Sequence, residues 1–103
     1  MTELLDQILA LIGASARDLG EIERTLTDGY AHALSLEAEK ARLERRLIEV
    51  TQGLEHGDTA TKTRELTEIG RRLEGTARDL LDLRGVLSRL RLHAASVREP
   101  AAY

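Results

Sequence analysis

The sequence contains no cysteine, no phenylalanine and no tryptophan, and its only proline is Pro100. Without cysteine the chain can form neither disulfides nor thiolate metal sites. Because two tyrosines are the only aromatic residues, the core must be built from Leu, Ile, Val and Ala. Proline is the residue that breaks helices most strongly, so helices can run through almost the whole chain. These absences favour long helices over a β-sandwich or a barrel.

Lysine is also rare, since thirteen arginines accompany only Lys40 and Lys62, a bias that favours a bacterial origin. The net charge is −3, and no basic stripe interleaved with aromatics suggests nucleic-acid binding. No apolar run approaches the roughly 18 residues of a membrane span. The start of the chain carries Glu3 and Asp6 where a signal peptide would be basic. We therefore expect a cytoplasmic protein of one domain.

The strongest pattern is an apolar stripe that repeats every 3.5 residues. The first stripe has fifteen positions, and twelve of them are apolar. The fifteen are Leu5, Ile8, Ile12, Ser15, Leu19, Ile22, Leu26, Gly29, Ala33, Leu36, Lys40, Leu43, Leu47, Val50 and Leu54, of which Ser15, Gly29 and Lys40 are the exceptions. A second stripe is apolar at nine of ten positions: Leu66, Ile69, Leu73, Thr76, Leu80, Leu83, Leu87, Leu90, Ala94 and Val97. A repeat kept in phase over this length indicates a coiled-coil seam.

The two stripes are separated by a segment rich in turn residues. Gly53 and Gly57 can end a helix, and Asp58 can accept hydrogen bonds from the N–H groups that begin the next one. A connection this short makes the two helices antiparallel neighbours. The sequence therefore predicts an all-α fold, a two-helix antiparallel coiled-coil hairpin.

We place the first helix at about 2–55, the turn at about 55–59 and the second helix at about 59–97. Residues 1–97 form a single domain in this prediction, and residues 98–103 form a flexible tail. The alternative is a break at Thr27-Asp28-Gly29-Tyr30, which would give three helices. The heptad phase continues through that segment, so we favour a continuous helix with a weak point at the glycine.

Folding the chain at this turn pairs seam residues whose numbers add to 116. Gly29 then faces Leu87, and the polar pair Lys40 and Thr76 falls in one layer, a device that can fix register. Residues 1–15 extend beyond the second helix and carry more apolar surface than a solvated helix end should. We predict that this extension and a second apolar face close a homodimeric four-helix bundle or bind another helical protein, through Leu4, Leu5, Ile8, Leu9, Leu11, Ile12, Tyr30, Leu34 and Ile48.

No catalytic, metal-binding or cofactor-binding motif stands out. His32, His56 and His93 are far apart and lack partners at metal-ligand spacing. Acidic and basic residues alternate four apart, as solvated ion pairs do. The sequence therefore predicts a protein without enzymatic activity or a cofactor, a protein–protein interaction module such as a bacterial adaptor, regulator or chaperone.

Two alternatives follow from resemblances in outline. A helical hairpin of about this length is similar to the small secreted substrates of type VII secretion, although their Trp-x-Gly turn is replaced here by Leu54-Glu55-His56-Gly57. It is also similar to the coiled-coil anti-sigma factors that bind cyclic di-GMP. That resemblance implies a dimeric sensor of an anionic nucleotide. Independently of the resemblance, the hairpin would bring near one another six arginines, whose planar guanidinium groups suit phosphate: Arg42, Arg45, Arg46, Arg71, Arg72 and Arg78.

Overall fold

The computed structural model describes residues 1–14 and 17–98, and says nothing of the Glu55 side chain. It contains helices α1 (Thr2–Gly13), α2 (Leu19–Gln52) and α3 (Thr59–Arg98), with a 3₁₀ turn at Gly53–Glu55. Of the residues described, 93% are helical and none forms a strand. The all-α prediction is therefore confirmed. Ser15 of the first stripe, and the predicted tail after Arg98, lie outside these residues.

The prediction of two helices is wrong, because the described residues form three α-helices. The break comes after Gly13, and α2 begins at Leu19 beside an N-cap aspartate: the Asp18 carboxylate accepts a hydrogen bond from the backbone N–H of Glu21 at 3.1 Å. Such a cap satisfies an N–H group that the start of a helix leaves without a partner. At Gly29, the other candidate for a break, α2 is continuous.

The described chain divides into two compact units. The terminal unit comprises Met1–Leu34 and Leu81–Tyr103, and the turn unit comprises Ser35–Leu80. Both α2 and α3 contribute residues to each unit.

The core of the terminal unit is made by the predicted seams of α2 and α3. Gly29 lies directly against Leu87, because the β-carbon of an alanine at this position would lie 3.3 Å from the Leu87 Cγ and closer still to its Cδ2. This contact is the predicted pairing of numbers that add to 116. The other buried seam side chains here are Ile22, Ala33, Leu83, Leu90 and Ala94.

Helix α1 folds back onto this core instead of extending beyond it. The Gln7 Nε2 atom donates a hydrogen bond to the Thr25 hydroxyl at 3.3 Å, whereas an unbroken helix would separate residues 18 apart by about 27 Å. Ile8 is 0% exposed and Leu11 is 8% exposed. The expected apolar extension is thus covered at these two positions by the chain's own terminal unit.

The turn unit is an antiparallel helix pair closed by a short connection. Leu43, Val50 and Ile69 are buried together, with Leu47, Leu66 and Leu73 packed against them. Two ion pairs cross between the helices beside this core, Arg46 with Glu65 and Arg72 with Glu39 at 3.0 Å. Glu39, which comes before Arg46 on α2, pairs with Arg72, which comes after Glu65 on α3. This reversed order is what antiparallel packing requires.

The connection uses the residues that the sequence suggested. Gly57 has φ of +86°, a left-handed conformation that glycine adopts without strain. The Asp58 carboxylate accepts from the backbone N–H groups of Ala60 at 3.0 Å and Thr61 at 3.3 Å. The Lys62 ammonium donates to the backbone carbonyls of Gly53 and His56. Side chains therefore satisfy two of the backbone N–H groups that begin α3 and two carbonyls of the turn.

Candidate interaction surface

The residues predicted to form an interface differ in exposure. Ile8 and Leu11 are buried, and Leu4, Leu5 and Ile12 are half-buried on the same helix, while Leu9 is exposed. Tyr30 and Leu34 of α2 are 43% and 66% exposed. Ile48, in the turn unit, is 56% exposed. The accessible apolar side chains of the predicted set are therefore Leu9, Tyr30, Leu34 and Ile48.

The position of Tyr30 and Leu34 on the helix follows from the heptad. With the seam residues Leu26 and Gly29 at positions a and d, Tyr30 is at e and Leu34 at b. At 100° per residue, e and b lie next to each other on the a side of the seam. We call the e and b positions of the terminal unit the open flank. On α2 they are Gly20, Glu23, Thr27, Tyr30 and Leu34; on α3 they are Leu81, Arg84, Ser88, Arg91, Ala95 and Arg98.

All eleven residues of the open flank are exposed. The other flank of the seam, at position g, is different: Thr25 is 2% exposed, and His32, Val86 and His93 are half-buried. Thr25 is also the residue that holds Gln7 of α1. Helix α1 therefore packs on the g flank, and the open flank lies on the opposite side of the seam.

The open flank is uncharged at its b positions, although four of its five e positions are charged: Glu23, Arg84, Arg91 and Arg98. The six uncharged b positions, in a chain of which 32% is charged, are Gly20, Thr27, Leu34, Leu81, Ser88 and Ala95. Leu81 is 72% exposed, more than any other large apolar side chain within residues 1–14 and 17–98. A groove lies beside the small residues Gly20 and Thr27 of α2 and is also lined by Glu23, Arg24 and Asp28. Small residues at such positions leave room for another helix to approach closely.

The two helices bordering this flank have opposite charges. Residues 19–34 of α2 contain three acids and one arginine, a balance of −2, while residues 81–98 of α3 contain four arginines and one acid, a balance of +3. An ion pair between Arg98 and Glu23 crosses the flank. The terminal unit is thus acidic along α2 and basic along α3.

The arginines proposed for an anionic ligand all lie in the turn unit. Five of the six are already in ion pairs: Arg42 with Glu39, Arg46 with Glu65 and Glu49, Arg71 with Glu68, Arg72 with Glu39 and Arg78 with Glu74. A phosphate would have to compete with these carboxylates for the guanidinium groups. No observation in the turn unit therefore favours the nucleotide hypothesis.

Electrostatic effects on pKa support the same view of this arginine cluster. The hydrogen bond from Arg42, together with the charges of Arg42 and Arg72, lowers the pKa of the Glu39 carboxyl. The hydrogen bond from Glu65 raises the pKa of the Arg46 guanidinium, with a further contribution from Glu49. Both groups therefore keep their charges over the physiological pH range, as partners in a solvated ion-pair network do.

Within residues 1–14 and 17–98, no three His, Asp or Glu side chains are grouped so that they could hold a metal ion. His56 is exposed in the turn, while His32 and His93 are half-buried. Over the same ranges, none of the helices combines the length and the apolar character needed to cross a membrane.

Sequence reasoning missed the residue that marks the start of α2. Asp18 caps α2, and the spacing from Asp18 to Glu21 is that of a capping box, a recognised start signal for a helix. With Gly13 five residues earlier, that spacing was the available sign that the first stripe belongs to two helices.

In comparisons with known proteins, no family model matches the chain, and no curated protein or solved structure matches it either.

Proposed function

We propose that this protein is a non-catalytic protein–protein interaction module that binds a helical partner along its open flank. An adaptor, regulator or chaperone could work in this way. The observation that carries the proposal is the group Tyr30, Leu34 and Leu81, three large apolar side chains exposed on one side of the terminal unit. Their exposure has a cost in water that an arriving helix would remove.

The residues around these anchors support binding of a helix. Tyr30 and Leu34 are four residues apart on α2, so their side chains are neighbours on its surface. Leu81 of α3 lies within one residue of the level of Leu34 in the register fixed by Gly29 and Leu87. An incoming amphipathic helix would place its apolar residues between these two rows, the common mode in which a helix is bound in a groove.

Site-specific photo-cross-linking in the native cell tests this proposal. A photoreactive amino acid is placed at Leu34, and in a matched control at Ala31, which is exposed on the same helix at position f, outside the open flank. We expect discrete protein adducts from position 34 and none from position 31. Equal labelling of both positions, or adducts from neither, would contradict the proposal.

A further inference from the structure

We propose that the open flank binds the open flank of a second copy of the chain, with α2 of one copy packed on α3 of the other. This inference rests on the proposed function and identifies its partner. It depends on three features of the terminal unit: the direction in which e and b residues point, the charges of its helices, and the residues found at equal height along them.

The first feature is the direction in which the e and b residues point. In a four-helix bundle each helix contacts two neighbours roughly 90° apart around its axis. In the terminal unit, α2 and α3 already contact one another through a and d, and a direction about 90° further round on the a side falls between e and b. The open flank therefore points to where the remaining neighbour of each helix would lie. Packing two such flanks together completes a bundle.

Charge then selects between the two possible symmetry axes. If the two-fold axis lies across the helices, α2 packs on α2 of the other copy, and two segments of −2 meet. If the axis runs along the helices, α2 packs on α3 of the other copy, so that −2 meets +3 on both sides of the axis. Like charges brought together weaken association, while opposite charges favour it. The axis along the helices is therefore favoured.

The residues at equal height fit this second arrangement. Gly29 against Leu87 fixes which α3 residue is level with each α2 residue, and a two-fold axis along the helices keeps those levels across the interface. Leu34 would then meet Leu81 of the other copy, Thr27 would meet Ser88, and Gly20 would meet Ala95. Each contact joins side chains of similar size and character, which is the condition for even packing of a helix interface.

The absence of cysteine from the sequence allows a direct test. Two single-cysteine variants, Leu34→Cys and Leu81→Cys, are mixed, allowed to exchange subunits and treated with a short bismaleimide. We expect cross-linked dimers joining the two different variants to dominate over Leu34→Cys pairs. A majority of Leu34→Cys pairs would overturn the proposal, because it would place α2 on α2.

Sedimentation velocity provides the second readout. The wild-type chain should sediment as a dimer, and the Leu34→Glu, Leu81→Glu double variant should lose that dimer while keeping its helical circular dichroism, since both side chains are exposed. Ala31→Glu, on the outer face of α2, should leave the dimer intact. A wild-type monomer at every concentration overturns the proposal. If that monomer still gives adducts from Leu34 in cells, the proposed function stands and only the self-partner is refuted.

Discussion

The contact between Gly29 and Leu87 makes a prediction that runs against ordinary helix propensity. Replacing glycine by alanine inside an exposed helix stabilises it by about 1 kcal/mol. At Gly29 the new methyl group would overlap the Leu87 side chain, and Leu87 is buried, so it has little room to move. Overpacking of this kind costs about 1–3 kcal/mol. We therefore expect Gly29→Ala to lower the free energy of unfolding by up to about 2 kcal/mol.

Gly85 is the matched control, because it lies in the same terminal unit and a β-carbon there would meet nothing within 4 Å. Gly85→Ala should stabilise the protein by about 1 kcal/mol. Urea unfolding followed by far-UV circular dichroism measures both variants. The reasoning is refuted if Gly29→Ala stabilises as much as Gly85→Ala does, since that result would mean that Leu87 does not occupy the space beside Gly29.

A double variant tests the same contact from the other side. Leu87→Ala alone should cost about 2–5 kcal/mol, the usual range for a buried leucine. Combined with Gly29→Ala, part of the new cavity would be filled by the added methyl group, so the two effects should not add. We expect the double variant to be more stable than the sum predicts by about 1 kcal/mol. Additive effects would show that the two positions are not in contact.

Three further predictions concern the ends and caps of the helices, each measured by urea unfolding. Ile8→Ala should cost about 2–5 kcal/mol, whereas the exposed Leu9→Ala should change stability by less than about 0.5 kcal/mol. Asp18→Ala should cost about 1 kcal/mol through loss of the α2 cap, and Asp18→Asn much less. The hydrogen bonds from the Thr61 hydroxyl, the Thr61 N–H and the Ala60 N–H lower the pKa of Asp58. The stabilisation of the fold by the Asp58 carboxylate is therefore complete above the unfolded-state pKa and is lost as pH falls through the folded-state pKa. Asp58→Asn should accordingly lose less stability in acid than the wild-type chain does.

The seams could be predicted because burial along a helix pair follows the heptad directly. A period of 3.5 residues keeps one face of a helix toward its neighbour. Ile22, Leu83 and Leu90 belong to the stripe and are therefore buried. The pairing of Gly29 with Leu87 followed from the position of the turn, because a short connection leaves few possible registers.

The break before Leu19 was missed because the heptad phase cannot detect it. A helix that folds back onto a helix pair needs an apolar stripe just as a continuous helix does, so Leu5, Ile8 and Ile12 are equally compatible with both. The phase of Leu5, Ile8 and Ile12 therefore carried the stripe across a point where the chain turns. The capping pattern at Asp18 and Glu21 indicates a helix start, which the periodicity alone does not.

The position of α1 decides which surface the terminal unit has left to offer. A continuous first helix would have left the e and g flanks of the seam equally open, and the apolar residues of 1–15 would then have been part of any interface. Because α1 packs on the flank that contains Thr25, it stands on the side opposite Tyr30 and Leu34. Loosening α1 through Ile8→Ala should then reduce stability without changing the dissociation constant of the proposed dimer. If the dissociation constant rises in Ile8→Ala, α1 is part of the interface, and the open flank is not the docking surface.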